Sequence, residues 1–210
     1  MLANIAVFVS GGGTNLQALI DSEKEKKLKN GKIKLVVSNK EDAYALKRAE
    51  NENIKTEVVL KKNFDTQKDF EEKLYFLMIE NNIDLIVLAG FMSILTKNFT
   101  SRFEKRIINV HPSLIPSFCG KGFYGIHVHE AALKYGVKIS GATVHFVNEI
   151  PDGGEIIYQK AVKILKNDTP QSLQKRIMQQ AEWKILPKAV EKVCSKISKS
   201  KNREAANERL

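Results

Sequence analysis

The stretch IAVFVSGGGTNLQALI, residues 5–20, decides the fold class of this 210-residue chain. Its first five residues are apolar, as in a buried strand, and its last five carry apolar residues at helical spacing. Three adjacent glycines separate the two halves. A buried strand, a glycine turn and an amphipathic helix in this order begin a βαβ unit, so the sequence predicts an α/β protein.

Further strand-like runs at 33–38, 56–60 and 85–89 alternate with helical patterns. The run at 85–89 is apolar at every position, which is typical of a central parallel strand covered on both faces. Residues 65–81 predict a helix with Asp65 as its N-cap. Its apolar stripe consists of Phe70, Leu74, Leu77 and Met78. We therefore expect a doubly wound, mostly parallel open sheet, which binds ligands beyond the carboxyl ends of its strands.

The second half of the chain has a different pattern. A glycine-rich loop at 120–125 and a helix at 128–135 precede strand-like runs at 140–147 and 155–164. A last helix should begin at Thr169-Pro170, with a capping hydroxyl and a proline in the first turn, and continue toward Val193. We expect fraying after Ser195. The predicted organisation is one domain over 1–195 and a polar basic tail over 196–210.

Composition narrows the function classes. The N-terminus has no basic segment followed by a long apolar run, and the two cysteines do not form a Cys-x-x-Cys pair. We expect a cytoplasmic protein with free thiols and no membrane partner. The formal charge is +10, but the lysines are spread along the chain and are densest only at 192–203. This distribution favours a solvated surface over a nucleic-acid partner.

The loop Ser10-Gly11-Gly12-Gly13-Thr14-Asn15 is the first candidate binding site. Glycines let backbone N–H groups approach an anion closely, and the start of a helix adds positive partial charge. Neither the Gly-Lys-Ser/Thr nor the Gly-x-Gly-x-x-Gly nucleotide motif is complete. A phosphate site is favoured over a tight turn without a ligand.

Asn109, His111 and Ser113 alternate at the end of another strand-like run, so their side chains should share one side. A histidine can transfer protons near neutral pH, and an amide can donate to a developing oxyanion. Asp152, in a Pro-Asp-Gly-Gly turn, is either an ordinary turn residue or a carboxylate that supports His111. No activated protein nucleophile accompanies these groups, so the nucleophile should belong to the substrate.

The other histidines are less informative. His127 and His129 are a weak metal pair without a third ligand at a familiar spacing, and we expect no metal. His145 lies in an alternating run and is interpreted as a hydrogen-bonded structural residue rather than a catalytic one.

Five motifs together resemble the folate-dependent phosphoribosylglycinamide formyltransferases, from Ile5 to about Pro187. They are Ser-Gly-Gly-Gly-Thr-Asn at 10–15, Leu-Ala-Gly-Phe-Met at 88–92, Asn-Val-His-Pro-Ser-Leu-Ile-Pro-Ser-Phe at 109–118, Gly-Ala-Thr-Val-His-Phe-Val at 141–147 and Pro-Asp-Gly-Gly at 151–154. The resemblance implies a Rossmann-like formyltransferase fold. It also implies transfer of the formyl group of 10-formyltetrahydrofolate, a co-substrate, to the amine of 5-phosphoribosyl-glycinamide in purine biosynthesis.

The resemblance also implies residue roles. Asn109 and His111 would stabilise the oxyanion, and Asp152 would support His111 and assist proton transfer. Substrate-binding positions would be Gly11, Gly12, Gly13, Thr14, Asn15, Gln179 and Glu182. Folate-binding positions would be Leu88, Ala89, Gly90, Phe91, Met92, Val147, Asn148 and Glu149. Many family members have arginine where this chain has Ser93, so no arginine contact to the folate is carried over.

Two relatives share the Asn-x-His-Pro-Ser core, namely methionyl-tRNA formyltransferase and formyltetrahydrofolate hydrolase. Each normally adds a further domain, so the length of this chain favours the phosphoribosylglycinamide enzyme, with hydrolysis as a possible side activity. A nucleic-acid-binding module is the alternative from another class. We expect small-molecule substrates and a monomer or homodimer.

Overall fold

The computed structural model describes residues 1–207, within which seven strands form one sheet flanked by helices. The strands are β1 Ala3–Val9, β2 Gly31–Ser38, β3 Lys55–Val58, β4 Leu85–Leu88, β5 Ile107–His111, β6 Ile139–Phe146 and β7 Ile156–Lys163. Their order is β3-β2-β1-β4-β5-β6-β7. The expected mostly parallel, Rossmann-like α/β sheet is confirmed, with antiparallel pairing at the β6 and β7 edge.

The helices alternate with the strands along the chain. They are α1 Thr14–Lys24, α2 Tyr44–Glu50, α3 Gln67–Glu80, α4 Lys97–Thr100, α5 Ile126–Tyr135, α6 Pro170–Ile177 and α7 Trp183–Asn207. Short 3₁₀ turns cover Lys61–Asn63 and Ser101–Phe103, and a π-helical turn covers Met178–Glu182. No helix in the described part of the chain is long and apolar enough to cross a membrane.

The chain divides into two compact units, and the first comprises residues 1–93 together with the chain from Pro187 onward. In it, β1 lies between β2 and β4 and is parallel to both. All four β4 residues are buried, as expected of a central strand. The apolar stripe of α3 is buried as well, so its predicted role in the core is confirmed.

The predicted N-cap of α3 is wrong by one residue. Thr66, not Asp65, occupies the cap, and its hydroxyl oxygen accepts a hydrogen bond from the Asp69 N–H at 3.1 Å. Thr66 has an extended backbone directly before the first helical residue, which brings its oxygen within reach of the third amide of the helix. Asp65 lies one residue too early for this contact.

The second unit, Ile94–Leu186, contains the antiparallel edge. In the β5–β6 pair, Asn109 lies opposite His145 and His111 lies opposite Thr143. Cross-strand partners in such pairs have Cβ atoms about 5 Å apart. This register therefore brings polar residues of two strands together.

The end of the chain differs from the expectation of one helix that frays. The predicted start is confirmed, because the Thr169 hydroxyl oxygen accepts from the Ser172 N–H and Pro170 follows the cap. A π-helical turn then interrupts the helix, and α7 continues to Asn207. Fraying from Ser195 is wrong because α7 is tied down by three hydrogen bonds. They are Ser198 Oγ to Asn30 O at 3.0 Å, Lys201 Nζ to Asp84 Oδ2 at 2.6 Å and the Met1 amine to Asn202 Oδ1 at 2.6 Å.

Candidate functional site

The glycine loop joins β1 to α1 in the first unit, as the sequence predicted. Gly13 is the N-cap of α1 with φ +69°, and a Cβ there would lie 2.6 Å from Ala45 Cβ. Gly11 and Gly12 face open space, with no heavy atom within 4 Å of an added Cβ. Gly13 is therefore needed for packing, whereas Gly11 and Gly12 leave room for a ligand beside the helix N-terminus.

The residues that flank the three glycines brace the loop. The Ser10 hydroxyl accepts from the Met92 N–H at 2.8 Å, and Arg48 Nε donates to the Gly12 carbonyl at 2.8 Å. Thr14 begins α1, and Asn15 is buried in its first turn. The contact of Arg48 with this loop was not predicted, because no motif links Arg48 to a loop more than thirty positions earlier.

In the second unit, Asn109 and His111 lie at the carboxyl end of β5, and both face the turn that carries Asp152. Asn109 Nδ2 lies 3.4 Å from Asp152 Oδ1, and His111 Nδ1 lies 3.5 Å from Asp152 Oδ2. Only 5% of the His111 side chain and 13% of the Asp152 side chain are exposed. The three residues that the sequence singled out as catalytic are thus brought together in a largely buried cluster.

The Pro-Asp-Gly-Gly turn is shaped to deliver Asp152 to this cluster. Asp152 has φ +56°, a left-handed conformation that aspartate tolerates better than most residues. A Cβ on Gly154 would lie 1.8 Å from the Phe146 carbonyl oxygen, so only glycine lets the turn fold this closely onto the end of β6. Asp152 Oδ2 also accepts from the Gly120 N–H at 2.8 Å. These contacts favour a functional carboxylate over ordinary turn chemistry.

Burial and charge set the ionisation of this pair. Burial lowers the pKa of His111, although Asp152 and the Phe118 carbonyl oppose that shift. Burial alone would raise the pKa of Asp152, but its contact with His145, the charge of His111 and the Gly120 N–H outweigh it and lower the pKa. At neutral pH the site therefore holds an aspartate carboxylate beside a neutral histidine.

His145 is the site residue that sequence reasoning missed. Its Nε2 lies 3.3 Å from Asn109 Nδ2 and 3.5 Å from Asp152 Oδ1, and 2% of its side chain is exposed. The interpretation as a hydrogen-bonded histidine holds, but its partners are Asn109 and Asp152. The β5–β6 register places it there, and strand register was not part of the sequence argument.

Neither candidate nucleophile of the protein is activated. Ser113 lies beyond β5 with its hydroxyl donating to the Ser117 carbonyl at 2.5 Å, so it is a structural residue. Burial and the nearby Asp152 raise the pKa of Cys119, which keeps this residue a thiol. An attacking group has to come from a bound molecule.

The remaining histidines differ in exposure and in partners. His127 is exposed and pairs with Glu130, whereas His129 is buried in α5. The described residues include no group of three or more side chains that could hold a metal ion. Cys119 and Cys194 are free, as expected.

Gln179 and Glu182 both lie in the π-helical turn, Gln179 exposed and Glu182 buried. Isolated π turns inside helices are rare and are frequent at functional sites. Sequence periodicity did not reveal this turn, because five residues are too few to establish a period of their own.

The positions expected to contact folate divide between the units. In the first, Gly90 has φ +77°, Phe91 packs edge-on against Phe8, and Met92 is 49% exposed. The Ser93 hydroxyl accepts from Asn39 Nδ2 at 2.8 Å. Leu88 and Ala89 are buried beside them.

In the second unit, Val147, Asn148 and Glu149 follow β6 and lead into the Asp152 turn. The Val147 N–H donates to the Ile107 carbonyl, and Asn148 Oδ1 accepts from the Ile150 N–H. Glu149 lies 3.9 Å from Lys97. These contacts hold residues 147–149 in place immediately before the turn that carries Asp152.

Residues 3–190 match the profile of the family described as Formyl transferase. The chain belongs to the formyl transferase family. It is 41% identical over 186 residues to phosphoribosylglycinamide formyltransferase of Haemophilus influenzae, covering 89% of this chain and 84% of that protein. This match confirms the resemblance to the phosphoribosylglycinamide formyltransferases.

A larger relative of this formyl transferase is the human trifunctional purine biosynthetic protein adenosine-3. The two are 42% identical over 193 residues, which are 92% of this chain but only 18% of the human protein. Among solved structures, glycinamide ribonucleotide transformylase 1 of Symbiobacterium toebii superposes with a TM-score of 0.86 at 35% identity. That match covers 92% of this chain and 88% of the other.

Proposed function

We propose that this formyl transferase moves the formyl group of 10-formyltetrahydrofolate to the amine of 5-phosphoribosyl-glycinamide, a step of purine biosynthesis. The observation that carries the proposal is the cluster of Asn109, His111 and Asp152, which holds donors and a carboxylate but no activated nucleophile. Such a cluster suits a reaction in which one bound substrate attacks another. The names of relatives of similar length support formyl transfer to the same acceptor.

The chemistry needs one bond formed and one broken. The substrate amine attacks the formyl carbon, and the carbonyl electrons move onto oxygen to give a tetrahedral oxyanion. Asn109 Nδ2–H and His111 N–H donate to that oxyanion, where hydrogen bonds are stronger than in the ground state. Collapse then breaks the bond between the formyl carbon and N10 of the folate.

One proton has to travel from the attacking amine to the departing N10. Asp152 is ionised and lies beside His111, so it can accept this proton through water and return it. His111 carries a proton on Nε2, because the Phe118 carbonyl at 2.8 Å can only accept. Donation from that nitrogen to the oxyanion requires exchange of the Phe118 carbonyl for the substrate oxygen.

The two binding subsites are assigned on the same basis. The phosphate belongs on the glycine loop, because Gly11 and Gly12 face open space at a helix N-terminus. Ribose and phosphate contacts fall to Thr14, Asn15, Gln179 and Glu182. Folate contacts are assigned to Leu88–Met92 in the first unit and to Val147–Glu149 in the second; the first segment is apolar apart from Gly90.

The remaining proposals concern the whole protein. We propose one formyltransferase domain over 1–195 and a basic C-terminal segment over 196–210, of which the part up to Asn207 continues α7. We also propose cytoplasmic location, a monomer or homodimer, and no nucleic-acid or metal partner. The two substrates are the small molecules named above. No step of the proposed reaction uses a metal.

A two-substrate assay tests the function. Purified protein should form tetrahydrofolate from 10-formyltetrahydrofolate only when 5-phosphoribosyl-glycinamide is present, with one formylated product per turnover. Equal turnover without the amine would identify a hydrolase instead. Strong, salt-sensitive oligonucleotide binding with no turnover of either substrate would favour the nucleic-acid-binding alternative.

A further inference from the structure

We infer that His145 is a positioning residue, which fixes the orientation of the Asn109 side-chain amide so that its N–H groups, not its carbonyl, face the reaction. This inference rests on the proposed function and adds a residue to its site. It follows from the hydrogen bonds that surround His145 on β6 and Asn109 on β5.

The first step is the tautomer of His145. Its Nδ1 lies 2.7 Å from the Phe146 carbonyl oxygen, which can only accept a hydrogen bond. Nδ1 therefore carries the proton of the neutral ring. Nε2 of the same ring is left with a lone pair and acts as an acceptor.

The side-chain nitrogen of Asn109 has two polar neighbours. It lies 3.3 Å from His145 Nε2 and 3.4 Å from Asp152 Oδ1. Both neighbours are acceptors, because the lowered pKa of Asp152 keeps that group a carboxylate. An amide oxygen in this place would face two acceptors, whereas an NH₂ group satisfies them. The surroundings therefore select one of the two amide orientations.

The selected orientation matters for the reaction. An NH₂ group has two hydrogens, and one of them can serve both acceptors of the cluster while the other remains for the oxyanion. A flipped amide would present its carbonyl oxygen to the growing negative charge and oppose it. Asp152 alone holds Asn109 weakly at 3.4 Å, so the second acceptor on His145 strengthens the selection.

Burial keeps His145 in this role. Only 2% of its side chain is exposed, and the β5–β6 register sets it directly opposite Asn109. The His145 ring contacts Asn109, Asp152 and the Phe146 carbonyl, so its role in the proposed reaction is to position the first two. A hydrogen-bonding partner of this kind is fixed by the sheet and does not depend on a mobile loop.

The test compares His145→Phe, which keeps a buried ring but removes the acceptor, with His145→Gln, whose amide oxygen can reach the place of Nε2. His145→Phe should lower kcat about 10- to 100-fold. Complete loss of one oxyanion donor costs roughly 10²- to 10³-fold in kcat, and a misoriented Asn109 should lose part of that contribution. KM for both substrates should change little. His145→Gln should recover part of the lost kcat.

A double-mutant cycle separates positioning from simple structural support. In an Asn109→Ala background there is no amide to orient, so His145→Phe should then cost about threefold or less. Ser140→Ala is the matched control, since Ser140 is also buried on β6 and its hydroxyl has no hydrogen-bond partner among the described residues. That variant should keep the wild-type kcat.

The result that overturns the inference is an unchanged kcat in His145→Phe, an equal loss in both backgrounds, or no recovery with glutamine. A readout independent of turnover is ¹⁵N NMR of histidine-labelled protein, which should show His145 protonated on Nδ1. The opposite tautomer contradicts the inference even if a variant fails to fold. If wild-type protein does not transfer the formyl group at all, the proposed function fails instead, and the NMR result still decides the tautomer.

Discussion

At the scale of single residues, Asp152 connects the most partners in the site. Its two carboxylate oxygens face Asn109, His111, His145 and the Gly120 N–H. We predict that Asp152→Asn lowers kcat roughly 10²- to 10⁴-fold, the usual contribution of a general acid–base group. Because the pKa of Asp152 is lowered, the carboxylate is ionised at neutral pH, and His111 is neutral there with or without that charge. The loss should therefore be constant from about pH 7.5 to about pH 9.

Steady-state assays across that pH range check this prediction. Asp69→Asn, an exposed carboxylate in the first turn of α3, is the control and should retain full activity. A loss that disappears at one end of the pH range would contradict the role given to the Asp152 carboxylate.

His129 is predicted to control stability in acid. It is buried in α5, and neither ring nitrogen has a hydrogen-bond partner among the described residues. Burial and the nearby His111 lower the pKa of His129 to about 4. Because the pKa of His129 is lower in the folded state, the fold is most stable above the unfolded pKa of about 6.5. The free energy of unfolding then falls as the pH drops from 6.5 toward 4.

The effect can be measured by urea unfolding at pH 7.5 and pH 5. From pH 7.5 to pH 5, the free energy of unfolding of the wild type should drop by about 2 kcal/mol more than that of His129→Phe, because the variant has no buried imidazole to protonate. His127→Gln, which alters the exposed neighbour, should leave the wild-type pH dependence intact. Identical pH dependence in wild type and His129→Phe would show that His129 is not responsible.

The residue pattern indicated Asn109 and His111, because both carry recognisable chemistry at a strand end. For Asp152 the pattern left ordinary turn chemistry open, and the family resemblance implied its catalytic role. It missed His145 because that contact depends on the register of two antiparallel strands far apart in the chain. It also missed the Gly120 N–H, since a backbone donor leaves no mark in the side-chain pattern.

At the scale of elements, the β1–α1 loop provides a matched pair of glycines. A Cβ on Gly12 would meet nothing within 4 Å, whereas one on Gly13 would lie 2.8 Å from the Ala45 backbone with φ at +69°. We predict that Gly12→Ala keeps the wild-type stability but raises KM for the phosphorylated substrate about tenfold, because the methyl group occupies the space of the phosphate.

Gly13→Ala should instead destabilise the fold by about 1–3 kcal/mol, because the left-handed conformation and the contact with α2 are both strained. Thermal unfolding and substrate titration distinguish the two variants. A Gly12→Ala enzyme with unchanged KM would argue against a phosphate at this loop.

The elements that could be predicted from sequence are those with strong local signals. The all-apolar β4, the stripe of α3 and the Thr169-Pro170 start of α6 are all observed. The π-helical turn at Met178–Glu182 and the true N-cap Thr66 could not be fixed, because both depend on displacements of a single residue. Such small shifts are decided by tertiary packing, which periodicity does not record.

At the scale of the whole molecule, the last helix departs most from expectation. The polar composition of residues 196–207 suggested a frayed tail, but contacts distant in sequence keep it helical. Ser198 Oγ donates to the Asn30 carbonyl, and Lys201 pairs with Asp84, whose Oδ2 also accepts from the Asn4 N–H at 2.7 Å. All of these contacts lie in the first unit.

Deletion of residues 196–210 is therefore predicted to lower stability without removing activity. Loss of the Ser198 bond and the half-buried Lys201 pair should cost about 1–3 kcal/mol, or roughly 2–12 °C in Tm for a chain of this size. The catalytic cluster of Asn109, His111 and Asp152 makes none of these contacts, so kcat at a temperature below unfolding should be unchanged. Thermal unfolding and the two-substrate assay measure the two effects.

Lys201→Ala is the point variant that refines this prediction. It removes one contact and leaves the helix in place, and Asp84 keeps the Asn4 N–H, so the loss of stability should be about 1 kcal/mol. An unchanged Tm in the deletion variant would mean that residues 196–207 contribute nothing to the fold. If the deletion lowered kcat and left Tm unchanged, residues 196–207 would contribute to the reaction and not to the stability of the fold.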